Sequence, residues 1–331
     1  MTMSKTDDNK KITAEKIIEL MEGGTIPWRQ VWKRDATQSM GMLPFNFSTG
    51  RTYTGSNVLS LIVQQHIHGF ASNAWLTYKQ ARELGGFVRK GQSATPVPFV
   101  LQVKDKITGE VVLDRNGVPK ILPMTWSVFN VDQCDGLPLR EELELKPVQW
   151  RHARAEELLA TCGVEIRHDG GNNAYYNVAT DRIHLPVREL FHSQSGYLST
   201  AIHEIGHASG HPSRMDRPMK GRFGTPEYAL EELNAEIFSM LVQDRLGLEM
   251  DAQFDPGNHI AYLQSWITAL KGDHNLIFQA FSTAEKIATF YNIERLSREP
   301  MIERDLEITG VEPGLVEQSR EGRSQQQAIL S

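Results

Sequence analysis

Two histidines and a glutamate stand together in Ser199-Thr-Ala-Ile-His-Glu-Ile-Gly-His-Ala-Ser-Gly210. On a helix His203 and His207, four residues apart, project from one face, so both imidazoles can grip a single divalent ion. Glu204 would lie beside that ion and can take a proton from a metal-bound water, the general-base arrangement of a metal-dependent hydrolase. Zinc is the expected ion, with manganese or another divalent metal as the alternative. Zinc in a catalytic site takes three protein ligands and keeps one position open for water. A histidine six residues after His207 would complete one common set, but that position is Ser213. His211 is a geometrically awkward substitute just beyond Gly210, and Glu231, Glu232 and Glu236 offer carboxylates on the next helix. Glu232 and Glu236 share a face beside an apolar stripe of Leu230, Leu233, Ile237, Met240 and Leu241, while Glu231 lies about 100° away. Glu232 is the favoured ligand, with Glu236 as partner to a metal-bound histidine.

Those side chains need a rigid frame. Ile202 and Ile205 would anchor the first helix in the core, Ser199 or Thr200 would cap its start, and Gly210 would end it. Gly206 would let another backbone or a substrate come close. Around this helix the pattern predicts a helix over 150–161, a short strand over 164–167 and two strands around Asp181 within 174–186. Helices follow over 226–246, 259–270 and 275–290.

The first half reads differently. A short amphipathic helix is expected over 12–21, then helices over 57–68 and 77–84 stopped by Gly69 and Gly85-Gly86. Strands are expected over 95–103, 110–113 and 125–130, separated by Gly-containing turns. Residues 51–90 carry five cations (Arg51, Lys79, Arg82, Arg89 and Lys90) against Glu83, with Tyr53, Trp75, Tyr78 and Phe87 interleaved. Cations that track a backbone and aromatic faces on which bases stack are the means of holding single-stranded nucleic acid. Arg51, Tyr53, Trp75, Tyr78, Lys79, Arg89 and Lys90 are the candidate contacts; Trp28, Arg29 and Trp32 are weaker ones.

Motifs in both halves extend this reading by resemblance. Ala174-Tyr-Tyr176, Asp181-Arg-Ile-His-Leu-Pro186, the 203–211 run and Glu231-Glu-Leu-Asn-Ala-Glu236 resemble the zincin-like metallopeptidase domain of ArdC-type antirestriction proteins and of conjugative plasmid primases. The spacing of Glu232, Ala235, Glu236 and Phe238 is similar to the third-ligand helix of intracellular zincins, which supports Glu232. Asn46-Phe-Ser-Thr-Gly-Arg-Thr-Tyr-Thr-Gly-Ser-Asn57, Trp75-Leu-Thr-Tyr-Lys-Gln-Ala81, Gly85-Gly-Phe-Val-Arg-Lys-Gly91 and Val128-Phe-Asn-Val-Asp-Gln-Cys134 resemble the single-stranded-DNA-binding domain of the same family. Ser56 departs from the bulky residue the resemblance would place there. The resemblance implies an antirestriction protein that binds single-stranded DNA, carries a peptidase-like site and protects incoming plasmid or phage DNA from host restriction. A protein substrate or a restriction enzyme would be a further partner. The alternative is a metal-dependent protease whose N-terminal domain recognises protein.

Composition agrees with two units. Residues 1–135 hold 16 Lys/Arg against 12 Asp/Glu, and the remainder 19 against 29, so the basic half suits a polyanion. The expected organisation is a disordered tail over 1–11, a DNA-binding α+β domain over 12–136 and a linker over 137–147. A mainly helical metallopeptidase domain with a small sheet then covers 148–309, and a second disordered tail covers 310–331. Residues 1–135 alone are expected to bind DNA. No apolar run is long enough for a membrane span. Cys134 and Cys162 lack metal-ligand spacing and read as reduced thiols of a cytoplasmic protein.

Overall fold

The computed structural model describes residues 5–28, 43–105, 108–139, 147–219, 221–222, 224–248, 256–295 and 301. An α+β half is followed by a mainly helical half with its own small sheet. The first half runs α1 (Lys5–Glu22), β1 (Phe45–Asn46), α2 (Ser56–His68), β2 (Ala74–Thr77), α3 (Tyr78–Glu83), β3 (Phe87–Val88), β4 (Thr95–Gln102), β5 (Ile121–Asn130) and β6 (Cys134–Asp135). Residues 5–11, expected as a tail, are the first turns of α1. Gly69 ends α2 with φ 62°, the left-handed conformation that an L side chain resists.

Strand order in the main sheet is β1-β2-β5-β4, with β1 parallel to β2 and the other pairs antiparallel. β4 is the outer strand, and its Pro96 and Pro98 lack the N–H groups a ladder needs, so they suit an edge. The strand expected over 110–113 is absent. There Asp105 accepts from the N–H of Thr108, and Asp114 accepts from those of Asn116 and Val118, so turn chemistry claims the segment and leaves isolated bridges. Trp75, Val97, Val128 and Leu61 pack beneath the sheet.

Asn46 is the polar hub of this half. Its side-chain oxygen accepts from the N–H groups of Ser48 (3.1 Å) and Thr49 (3.0 Å), and its Nδ2 donates to Gln80 Oε1 at 3.1 Å. Gln80 in turn completes the capping box with Thr77 at the start of α3. The Asn46–Asn57 run thus fastens a loop to a helix.

The second half runs α4 (Val148–Thr161), β7 (Glu165–Arg167), β8 (Tyr175–Asn177), β9 (Arg182–His184), α5 (Gln194–Ala208), α6 (Pro226–Leu246), α7 (Pro256–Gly272) and α8 (Leu276–Phe290). Its sheet has the order β7-β9-β8. α6 is the central helix, started by a Thr225 cap with Pro226 behind it and ended by Gly247 at φ 64°. Its burial extends beyond an apolar stripe to polar side chains that find partners. Ser239 donates to the carbonyl of Ser199 (3.1 Å), Asp244 accepts from the N–H of Leu43 (3.0 Å), and Arg245 pairs with Glu285 (2.7 Å).

One apolar core joins the two halves. Ala14, Ile17, Ile18 and Met21 of α1 and Val58, Leu59 and Val63 of α2 pack in the same cluster as Leu198, Ile202, Ile237, Leu241 and Phe281. Lys271 of α7 also pairs with Glu22 of α1 at 2.5 Å. A fragment ending at 135 would therefore expose apolar faces of α1 and α2, so DNA binding is better tested on the full chain. Most of the expected linker, 140–146, and the expected tail over 310–331 lie outside the described residues. No helix among the described residues is long and apolar enough to cross a membrane.

Candidate metal centre and nucleic-acid surface

Helix α5, expected over 196–210, runs Gln194–Ala208 and so begins five residues before Ser199, the first of the expected caps. Ser193 caps it, its hydroxyl accepting from the N–H of Gly196 at 2.9 Å, while Ser199 and Thr200 lie inside the helix. The helix ends at Ala208, with Ser209 at its boundary and Gly210 beyond. Leu198, Ala201, Ile202 and Ile205 are fully buried, so the histidine-bearing face is held still. Gly206 meets α6. A Cβ there would lie 2.9 Å from the Ala235 Cα, so the close approach is to a neighbouring helix.

That contact brings three donors together. His203 Nε2 and His207 Nε2 are 3.1 Å apart, and the Glu232 carboxylate oxygens lie 3.8 Å from the first and 3.7 Å from the second. Two ligands each about 2.1 Å from a tetrahedral ion would be about 3.4 Å apart, so the three spacings bracket the value for one ion. This is the group of His, Cys, Asp and Glu side chains with metal-binding spacing among the described residues. Glu204 is 6% exposed on the turn that carries both histidines.

The other carboxylates act on the far side of each ring. Glu236 Oε2 is 3.8 Å from His203 Nδ1, and Glu231 Oε1 is 3.2 Å from His207 Nδ1. His211 turns away, its Nδ1 bonded to Ser213 Oγ at 2.7 Å and 3.7 Å from Asp181. Burial opposes a charge on His207. The hydrogen bond to Glu231 and the charges of Glu232, Glu204 and Glu231 outweigh it and hold the imidazole pKa up to about 9. Burial likewise opposes ionisation of Glu232. Its contact with His203, the charges of His207 and His203, and the Tyr228 hydroxyl bring that carboxyl down to about 2. Sequence reasoning placed Glu231 about 100° round the helix without seeing that this turn carries it behind His207. It missed Tyr228, Arg217 and Asn234 altogether; no periodic pattern marks them.

The candidate DNA contacts divide. Trp75 is corrected: at 0% exposure it fills the core beneath the main sheet and presents no face to a base. Tyr53 is also turned inward. Its ring packs on the core, its hydroxyl accepts from Asn46 Nδ2 at 3.4 Å, and burial, only partly offset by that bond, pushes its pKa up to about 12. Arg89 is spent on structure, donating to Asp135 (3.0 Å), to the Cys134 carbonyl (3.3 Å) and to the Asp132 carbonyl, and so clamping β3 to β6. Trp28 is buried against Trp266, and Arg29 and Trp32 lie outside the described residues. Tyr78 (56% exposed) and Lys79 remain on α3, Phe87 (46%) on the adjoining β3 and Lys90 in the turn after it, with Arg51 half-buried; Lys79 also meets Glu83 at 3.4 Å. The Phe99–Trp126 stack, centroids 5.2 Å apart on the β4–β5 ribbon, escaped sequence reasoning.

Both halves of the chain match known families. Residues 153–283 match the zincin-like metallopeptidase family, and residues 7–125 match the N-terminal domain of anti-restriction factor ArdC. The chain is 43% identical over 291 residues to a DNA primase TraC of Escherichia coli, which covers 84% of this chain but 26% of the primase. A second TraC of that organism is 41% identical, with 19% of its length covered, so the chain spans about a quarter or less of these relatives. An uncharacterized protein, y4eC, of Sinorhizobium fredii (strain NBRC 101917 / NGR234) is 34% identical, with 88% of this chain and 93% of that protein covered. Among solved structures, the Mn(II)-bound antirestriction ArdC protein of plasmid R388 superimposes with a TM-score of 0.64 at 34% identity, covering 86% of this chain and 96% of that one. Its metal-free form gives 0.63 at 35% identity.

Proposed function

From membership of the ArdC-type antirestriction family, to which this chain belongs, we propose that it binds single-stranded DNA, carries a metal-dependent peptidase site and protects incoming plasmid or phage DNA from host restriction. The observation that carries the metal reading is the spacing of His203 Nε2, His207 Nε2 and the Glu232 carboxylate, which fits one four-coordinate ion. Zinc is the proposed metal; the Mn(II) bound in the R388 relative makes manganese the alternative. A bound divalent metal supplies Lewis acidity that acidifies water and polarises a carbonyl. His203, His207 and Glu232 would hold it. Glu204, on the same turn, takes the proton of the attacking water on its carboxylate and passes it to the departing amine nitrogen. The substrate of that step is a protein, a restriction enzyme being one candidate.

For DNA, the α3–β3 edge supports the reading. Tyr78 and Phe87 offer exposed aromatic rings, each base stack contributing roughly 1–3 kcal/mol, and Lys79 and Lys90 supply charge. A labelled single strand and its duplex should be titrated against the full chain across a range of salt. Preference for the single strand is expected, and Lys90→Ala should flatten the salt slope by about 0.7. Equal or absent binding of both forms at low salt would refute the DNA reading.

One observation favours the alternative protease that recognises protein. Phe99, Leu101, Leu122, Met124 and Trp126 line one face of the β4–β5 ribbon with no charged residue among them, and Leu122, Met124 and Trp126 are 50%, 41% and 38% exposed. Such a face suits a protein better than a phosphate backbone. Loss of single-strand binding in Tyr78→Ala with Phe87→Ala, but not in Trp126→Ala, would favour DNA over this reading.

A further inference from the structure

We propose that Arg217 is a positioning residue of the metal centre, acting through Glu231 on His207; the inference rests on the metal reading above. Glu231 joins three groups. One oxygen meets His207 Nδ1 at 3.2 Å, and the other accepts from Arg217 Nη1 and from Asn234 Nδ2 at 3.1 Å. A carboxylate on Nδ1 keeps the proton there and leaves the Nε2 lone pair facing His203 and Glu232, where a metal would sit. A glutamate side chain has three rotatable bonds, so one contact does not fix it. Arg217 and Asn234 hold its other oxygen, and of the two only Arg217 carries a charge.

The guanidinium does more than neutralise. Arg217 Nη2 donates to the Gly206 carbonyl at 2.8 Å and to Ser209 Oγ at 2.9 Å. Gly206 O belongs to the last turn of α5, where carbonyls lack helical partners. One side chain therefore ties the end of the helix that bears both histidines to the helix that bears Glu232. It is shielded enough for this to matter, the side chains of Arg217 and Glu231 being 11% and 13% exposed. The segment that delivers it is itself fastened, with Arg217 N–H donating to Gly210 O at 3.0 Å and Met215 N–H to Ser209 O at 3.0 Å. Arg214, three residues earlier, is a useful contrast. It fastens the same segment to Asp181 and the Ala208 carbonyl and makes none of its hydrogen bonds to a metal-site side chain. His203 has a looser arrangement, with Glu236 at 3.8 Å, so the two ligands are oriented unequally.

The test measures metal affinity in the full chain by competition of a chelator for Zn2+, alongside the melting temperature of the metal-free protein. Glu231→Ala and Arg217→Ala should each weaken affinity by roughly 10–100-fold. Arg217→Lys, which keeps the charge but cannot span Glu231 and Gly206 O together, should fall between them and wild type. The double variant Arg217→Ala/Glu231→Ala should bind about as weakly as Glu231→Ala alone, because Arg217 acts through that carboxylate. Arg214→Ala should lower the melting temperature with affinity within about twofold of wild type. Unchanged affinity in both Arg217 variants, or losses that multiply in the double variant, would overturn the inference. Failure of the wild-type chain to bind Zn2+ or Mn2+ would overturn the metal reading and this inference with it.

Discussion

Gly206→Ala tests whether the α5–α6 contact sets the site. The added methyl would lie 2.9 Å from the Ala235 Cα, 3.1 Å from Phe238 Cδ1 and 3.2 Å from the Ala235 Cβ. Comfortable carbon–carbon contact begins near 3.5–4.0 Å, so the helices must part by roughly half an ångström to one ångström. Neither neighbour gives easily: Ala235 is held by its backbone, and Phe238 is 0% exposed. Overpacking of this kind costs about 1–3 kcal/mol. Replacing a helical glycine by alanine returns nearly 1 kcal/mol in propensity. The net loss is about 0–2 kcal/mol, or a fall of up to about 8 °C in melting temperature at about 2–4 °C per kcal/mol. Separation should hurt metal binding more than stability, since the Glu232 oxygens already stand 3.7–3.8 Å from the two Nε2 atoms. Scanning calorimetry of the metal-free chain and chelator competition for Zn2+ measure the two effects. A Gly206→Ala chain as stable as wild type and equally good at holding zinc would refute the claim that this contact spaces the ligands.

Glu232→Ala should remove most bound metal while Glu236→Ala loses less, because Glu232 faces both Nε2 atoms and Glu236 only one Nδ1; elemental analysis after dialysis reads this. Equal loss in both would shift the ligand set. Glu204→Gln should keep the metal and the fold but lose peptide cleavage by several orders of magnitude, as the amide cannot take the proton; cleavage at wild-type rate would exclude Glu204 as the base. For Tyr53, folding lifts the phenol from 10 to about 12, so its share of stability is present below pH 10 and is lost as pH rises towards 12. Melting temperatures across that window should fall more steeply for wild type than for Tyr53→Phe, and parallel curves would contradict the burial of that hydroxyl.

What could be read from the sequence follows the range of the forces involved. Helix geometry is local, so the pair His203 and His207 and the angle between Glu231 and Glu232 were legible before any fold was known. Glycine stops are local too, and Gly69 ends its helix with φ 62°. The start of α5 was misplaced because a hydroxyl can cap only where the chain leaves the helix, and Ser193, Ser199 and Thr200 look alike until that point is fixed. Exposure is not local. Trp75, Tyr53 and Arg89 have the residue types a nucleic-acid surface needs, yet a core, a polar hub and a strand clamp claimed them, and no window of sequence contains those partners. Phe99 and Trp126 show the reverse, because only the β4–β5 register brings them together in the open. Arg217 depends on both ends of this scale. It sits in a segment without period, but its target was fixed by helix geometry: once His207 points Nε2 at Glu232, its Nδ1 needs a partner, and the residue before Glu232 is the carboxylate that can reach it.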